Sequence, residues 1–164
     1  MKAVVQRVKN ASVTVDGKTA GRIARGLLVY LGVAAGDTAK DADWMSDKIA
    51  NLRIFEDTEG KMNHSVKELS AVLNGAEVSV EPDRGAVGVL AVSQFTLLAD
   101  ARKGRRPYFG AAADPDEAET LYRYFMQKIR EQGLVCEAGI FRTSMEVASV
   151  NDGPVTILLD TREL

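Results

Sequence analysis

The chain has 164 residues, 46% apolar and 27% charged, with a net charge of −2 and a single cysteine. One domain spanning residues 1–164 is the natural expectation, and a chain of this length buries roughly 70% of its unfolded surface, so it needs no staples. The charge argues against non-specific coating of nucleic acid, one cysteine excludes an internal disulfide, and no apolar run approaches the roughly 20 residues of a membrane helix. The first residues lack the apolar core of a signal peptide, so a cytoplasmic location is expected.

In chain order, Val4–Val8 and Ser12–Val15 read as strands, and Asp16-Gly17 is a hairpin signal returning the chain through Thr19 to Ile23. Gly26 to Val33 is a continuous apolar run, the pattern of a strand covered on both faces. Ala42, Met45, Ile49 and Leu52 share one helical face, and Thr38 with Asp41 forms a capping box, predicting a helix over Ala39–Asn51. Strands are expected at Val72–Val80 (with a hairpin about Asn74-Gly75), Ala86–Leu98, Leu134–Ala138, Met145–Val150 and Val155–Asp160. A second helix has Asp114 as N-cap, Pro115 in its first position, an apolar stripe of Ala118, Leu121, Tyr122, Phe125 and Ile129, and Gly133 as its stop. Many strands with two helices imply a mixed α/β, strand-rich fold, an antiparallel or mixed sheet curled towards a barrel with two outer helices.

The chemistry is narrowed by what is missing. His64 is the only histidine, so a Ser-His-Asp triad would have to use it, yet nothing near it resembles a nucleophile elbow and a solvated turn is its ordinary place. Cys136 falls in a strand and reads as a small buried residue. No cluster has zinc or calcium spacing, and no Gly-rich phosphate loop follows a strand, so neither metal nor cofactor is expected. What remains is hydroxyls, amides and backbone groups. Gly153-Pro154 opens an apolar strand, and an X-Pro bond can adopt either isomer at a difference of about 0.5–1 kcal/mol. On its own this hexapeptide, Asn151-Asp152-Gly153-Pro154-Val155-Thr156, reads as a loop that starts a strand.

Ser93-Gln94-Phe95-Thr96-Leu97 and Asn151-Asp152-Gly153-Pro154-Val155-Thr156 together resemble the two signature motifs of the D-aminoacyl-tRNA deacylases. Ala3–Val8, Asn51–Phe55 and Arg102–Pro107 are similar to that family as well, and the resemblance runs in order from Met1 to about Asp160. The stretch between Lys67 and Val87 is longer than the family's compact pattern, with Ala76–Arg84 resembling an insertion. The resemblance implies the deacylase fold, a strand-rich barrel that pairs as a homodimer, and hydrolysis of the ester of D-aminoacyl-tRNA, with glycyl-tRNA as a further substrate. It places Ser93, Gln94, Phe95 and Thr96 at the ester and makes Thr96 the obvious nucleophile candidate; no base in the motifs is suited to activate it, which favours Thr96 as a positioning group with water attacking over a covalent acyl-threonine. It implies a cis Gly153-Pro154 that enters the neighbouring subunit's pocket and crowds an L-side chain, a case of specificity by exclusion. Asn151 and Thr156 belong to that substrate-binding motif. Arg7 matches the arginine that holds those carbonyls, although as a strand residue it would ordinarily face water. Phe141 and Met145 match positions near the terminal adenine, although spacing alone assigns them to the core. Arg102, Lys103, Arg105 and Arg106 form the only dense basic run, ordinarily a solvated face, and here a candidate grip on RNA phosphates. A non-catalytic RNA-binding barrel is the rival from another class.

Overall fold

The computed structural model describes residues 1–75 and 86–163. Strands β1 (Lys2–Val15), β2 (Lys18–Ile23) and β3 (Gly26–Gly32) lead into helix α1 (Ala39–Asn51). A small hairpin, β4 (Phe55–Glu56) and β5 (Met62–His64), precedes helix α2 (Val66–Gly75). Strand β6 (Gly88–Ser93) ends in a 3-10 turn (Phe95–Leu98), and helix α3 (Pro115–Glu131), β7 (Val135–Ala138) and β8 (Glu146–Asp160) follow.

The main sheet runs β2-β1-β3-β6-β7, with β8 paired along β1. The pairs of β1 with β2, β3 and β8 are antiparallel, and β3-β6 and β6-β7 are parallel. A Cβ on Gly21 of β2 would meet the Ala138 backbone of β7, so the two ends of the sheet curl close together. This is the expected mixed, barrel-like α/β architecture, and its curl makes two cores. Leu27, Val29 and Leu31 of β3 join Val89 and Ala91 of β6 under Met45, Ile49, Phe125 and Ile129 of the helices. Leu28, Leu90 and Val92 face the other way, onto Val8, Val13 and Ile23. The unbroken apolar runs in β3 and β6 follow from burial on both faces.

Three expectations need correction. Val72–Gly75 is helical, the end of a third helix among the described residues; Ala76–Val80, like the whole resemblance to an insertion at Ala76–Arg84, lies outside the described residues. The local signal for α2 is the Ser65-Val66-Lys67-Glu68 box. The Glu68 carboxylate accepts from the Ser65 amide (2.6 Å) and hydroxyl (2.9 Å), and Ser65 Oγ accepts from the Glu68 amide (3.3 Å). The Asn74-Gly75 pair ends this helix instead of turning a hairpin. Secondly, β6 stops at Ser93, and Phe95–Leu98 coil into the 3-10 turn rather than extend the strand. Thirdly, Met145–Val150 and Val155–Asp160 are parts of one strand, β8, bent in its middle.

The helix caps differ in detail. Asp41 accepts from the Thr38 amide (2.8 Å) and hydroxyl (2.9 Å), and these bonds hold its carboxyl below the ordinary range although partial burial opposes them. Asp114 makes no side-chain cap bond; Pro115 does occupy the first turn, and the Asp114 carbonyl accepts from Ala118 (2.8 Å). His64 is solvated but stands on β5 rather than in a turn.

Gly26, Gly88 and Val135 lie side by side across β3, β6 and β7, and a Cβ on Gly26 would collide with the Gly88 carbonyl. Backbone cannot yield there as a flexible side chain would. Gly26→Ala should therefore lower the unfolding free energy by at least the ~1–3 kcal/mol typical of overpacking, measurable as a drop in the urea midpoint. Cys136 is buried in β7, and burial pushes its thiol up to about 12. With so little thiolate below that pH, the native protein should resist a thiol reagent at pH 8 and react fully in denaturant. Fast labelling of the folded protein would contradict the packing described for β7.

Candidate functional site

A cleft of about 570 Å³ opens where β3 and β6 end side by side. Leu31, Val33 and Val92 form its floor, Ser93, Gln94 and Phe95 one wall, and Tyr122, Phe141 and Met145 the opposite wall. The carboxyl ends of adjacent parallel strands are where α/β sheets commonly leave a crevice. Most of the lining is apolar. Among the described residues its only titratable side chains are those of Tyr122 and Arg142, with no carboxylate, imidazole or thiol. The Tyr122 hydroxyl donates to the Ala91 carbonyl (2.8 Å), and burial pushes its pKa up, so it stays a neutral phenol at physiological pH.

The first wall is shaped by the 3-10 turn. The Gln94 amide donates to the Leu31 carbonyl (2.8 Å), pinning the end of β6 to β3. The amides of Phe95 and Thr96 then head the turn without a partner among the described residues, as the first N–H groups of a helical turn do. Phe95 lines the cleft, and an uncommitted amide at its edge is a suitable donor for the oxygen of a polarised carbonyl. Gln94 Nε2 donates to Thr96 Oγ1, which fixes that exposed hydroxyl although Thr96 itself does not line the cleft. Phe95 is 58% exposed and meets Phe109 edge to face, with ring centroids 5.1 Å apart.

Phe141 and Met145 serve core and cleft at once. Phe141 lies 5.9 Å from Tyr122, centroid to centroid, at the margin of the helix-side core, and Met145 packs at the margin of the other core. Each therefore keeps one face free for the cleft.

The second motif makes a different object. Two steps along β1, from Gln6 to Val8, face five along β8, from Thr156 to Asn151. The surplus residues bulge out of β8 opposite Arg7, and Gly153 and Pro154 are its exposed tip, joined by a cis peptide bond. Asn151 closes the neck: its Oδ1 accepts from the Val155 amide (3.0 Å) and its Nδ2 donates to Thr156 Oγ1 (3.2 Å). Gly153 has φ +126°, where a Cβ would also lie 2.8 Å from Val155 Cγ2 and 3.0 Å from Arg7 Nη2. Arg7 is 4% exposed, which overturns its ordinary reading as a strand charge facing water. It donates to the carbonyls of Ile54 (2.7 Å) and Asp152 (3.1 Å), so the carbonyl it holds is the one before Gly153 rather than those of Gly153 and Pro154. The carboxylates of Asp152 and Glu56 lie 3.5 and 3.6 Å from the guanidinium.

The residues singled out thus fall in separate places. Ser93, Gln94, Phe95, Phe141 and Met145 come together around the cleft, whereas Arg7, Asn151, Gly153, Pro154 and Thr156 build the bulge and do not line this chain's own cleft. Arg102, Lys103, Arg105 and Arg106 lie on an exposed loop beyond the 3-10 turn. Arg102 is held by Asp100 through two contacts (2.9 and 2.6 Å), and Lys103, Arg105 and Arg106 have no ion pair among the described residues. Sequence reading missed Tyr122 and Arg142 as cleft residues, because Tyr122 sits in an ordinary helical stripe and Arg142 in an unpatterned turn. Because the Asn151 side chain alone bonds the Val155 amide at the neck, Asn151→Ala should speed hydrogen exchange at that amide about fivefold to tenfold, the worth of one hydrogen bond of about 1 kcal/mol. Unchanged exchange there would mean the neck is closed by other contacts.

Comparison with known proteins bears on the family of the chain. A family model described as D-Tyr-tRNA(Tyr) deacylase matches residues 4–160. A D-aminoacyl-tRNA deacylase of Thermotoga petrophila is 52% identical over 164 residues, covering 100% of this chain and 99% of that one. One from Anaeromyxobacter dehalogenans is 53% identical with the same coverage. The solved structure of a c-Myc DNA Unwinding Element Binding Protein superposes with a TM-score of 0.81 at 40% identity, over 98% of this chain and 99% of the other. A second, a "probable eukaryotic D-amino acid tRNA deacylase", shares the fold with a TM-score of 0.75 at 18% identity, over 96% and 97%. With a family model spanning nearly the whole chain and relatives half identical from end to end, this chain belongs to the D-Tyr-tRNA(Tyr) deacylase family.

Proposed function

We infer that this protein hydrolyses the ester of D-aminoacyl-tRNA, releasing the free D-amino acid and the tRNA. The observation that carries the reading is the make-up of the cleft: the unpartnered Phe95 amide on one wall, an apolar pocket and no general base among the described lining residues. Such a site is suited to a substrate that is already activated. In the reaction, water adds to the ester carbonyl carbon, the carbonyl oxygen takes the negative charge, and the bond to the ribose oxygen breaks as that oxygen regains a proton. In this reading the Phe95 and Thr96 amides hold the oxyanion, and one such donor is worth on the order of 3 kcal/mol. The neighbouring ribose hydroxyl of the substrate assists the water. Thr96, held by Gln94, positions the ester; nothing in the cleft is equipped to make it a nucleophile.

Chirality follows from the bulge of a second subunit. Gly153 and Pro154 project from β8 but do not line the cleft of their own chain, which suits a tip that enters a partner's cleft. Their backbone, held through Arg7 and Asn151, crowds an L-side chain and admits a D-side chain or the hydrogen of glycine. The working unit is then a homodimer with shared sites, and the cytoplasm, where charged tRNA is found, is its place. The alternative is a non-catalytic RNA-binding barrel, favoured by the unpaired charges of Lys103, Arg105 and Arg106.

Matched D- and L-tyrosyl-tRNA separate these readings. The D-ester should be hydrolysed and the L-ester spared; binding without release of amino acid supports the alternative. Shared sites are tested by mixing two inactive variants, Thr96→Ala with Gln94→Ala in one chain and Gly153→Val in the other. Subunit exchange rebuilds one intact site per heterodimer, so activity should return. A proven heterodimer that stays inactive places Gly153-Pro154 outside the partner's site.

A further inference from the structure

Resting on the reading above, we propose that the loop from Asp100 to Phe109 is a recognition element for the unpaired 3′ end of the RNA, with Tyr108 as a stacking platform for one of its bases. The loop is built rather than slack. Asp100 and Tyr108 exchange two backbone hydrogen bonds (2.7 and 2.9 Å), closing residues 101–107 into a small hairpin. Asp100 then uses its carboxylate on the Arg102 amide (3.0 Å) and guanidinium, and these bonds hold its pKa far below the usual carboxylate range.

Tyr108 is 71% exposed, a large ring facing solvent in a fixed backbone. It folds over Gly110, where any Cβ would strike the phenol, so the glycine leaves room for this placement. On the cleft side, Phe109 meets Phe95, and Phe95 is part of the cleft wall. The Phe109 carbonyl accepts from Ala112, another lining residue (3.0 Å). Aromatic surface therefore runs from the cleft mouth to the root of the basic loop, whose tip carries the unpaired Lys103, Arg105 and Arg106.

Exposed rings beside cations are the surface that single-stranded nucleic acid requires: base faces stack on rings while phosphates meet cations. A duplex hides its base faces, so rings this exposed would be wasted on it. A strand whose last nucleotide sits in the cleft must leave past Phe95, which sets its direction along the loop. A net charge of −2 over the whole chain makes this local cationic tip the place where a polyanion docks.

The test compares Tyr108→Ala and Tyr108→Phe with the parent on two substrates, D-tyrosyl-tRNA and 3′-O-D-tyrosyl-adenosine, which lacks any tail. The ratio of kcat/KM for the tRNA to that for the adenosine ester should fall about tenfold in Tyr108→Ala and return in Tyr108→Phe. In parallel, an uncharged single-stranded RNA ending in CCA carries 2-aminopurine two or three nucleotides from its end. Its fluorescence should be quenched on binding the parent and Tyr108→Phe, not Tyr108→Ala, and a complementary strand paired flush to the end should abolish binding by this route. An unchanged ratio with equal quenching in all three proteins overturns the proposal, as does equal affinity for paired and unpaired ends. If the parent hydrolyses neither ester, the deacylase reading falls, and the fluorescence arm alone decides the stacking role.

Discussion

A buried guanidinium organises the part of this fold where the bulge of β8 meets the sheet. Arg7 stands at the middle of β1, with antiparallel partners on both sides, and faces the point where β8 carries surplus residues. A fork of nitrogens can bind the Ile54 and Asp152 carbonyls together while two carboxylates flank it. A lysine, with a single charge centre, has no comparable geometry. The chain leaving α1, the centre of the sheet and the bulge of β8 are thereby tied at one residue. Hydrogen bonds from charged donors to otherwise buried carbonyls are among the stronger ones, about 1.5–3 kcal/mol each.

The cleft depends on a different constraint, the parallel pairing of β3 with β6. Parallel neighbours end at the same side, and here Gly32 and Ser93 end together. The chain after β6 coils at once, so amides that a longer strand would have committed to a ladder are left without a backbone partner among the described residues. A Cβ on Gly32 would run into Leu98 and the Gln94 carbonyl, so the turn lies directly on the end of β3. Packing thus sets the position of the donors.

The legible parts of the chain were those in which one residue pattern had one physical cause. The two-sided apolar run of β3, the stripe of α3 and the Asp16-Gly17 hairpin each follow from burial or from backbone angles, and each is present. Helix α2 was hidden because Val72 and Leu73 with Asn74-Gly75 imitate a strand and its turn, while the Ser65–Glu68 box that starts it lies seven residues upstream. Arg7 was singled out through resemblance alone, because strand alternation places it without revealing that a bulge covers it from β8. The cleft wall of Ser93, Gln94 and Phe95 was reached through resemblance. Backbone amides leave no mark in side-chain composition, and taken alone these residues read as a solvated strand end. Tyr108 and Gly110 escaped for the same reason: their relation is one of space left empty.

A site formed by main-chain groups takes its coordinates from strand register rather than from side-chain identity. Exchanging one side chain for another in the turn after β6 leaves the amides of Phe95 and Thr96 where they are. Removing one residue between Gly88 and Ser93 rotates every later group to the opposite face of the sheet. Drift by substitution and drift by insertion or deletion should accordingly have very different histories here. Chain length within the β3 and β6 strands is the quantity under constraint for these main-chain donors, whatever side chains they carry.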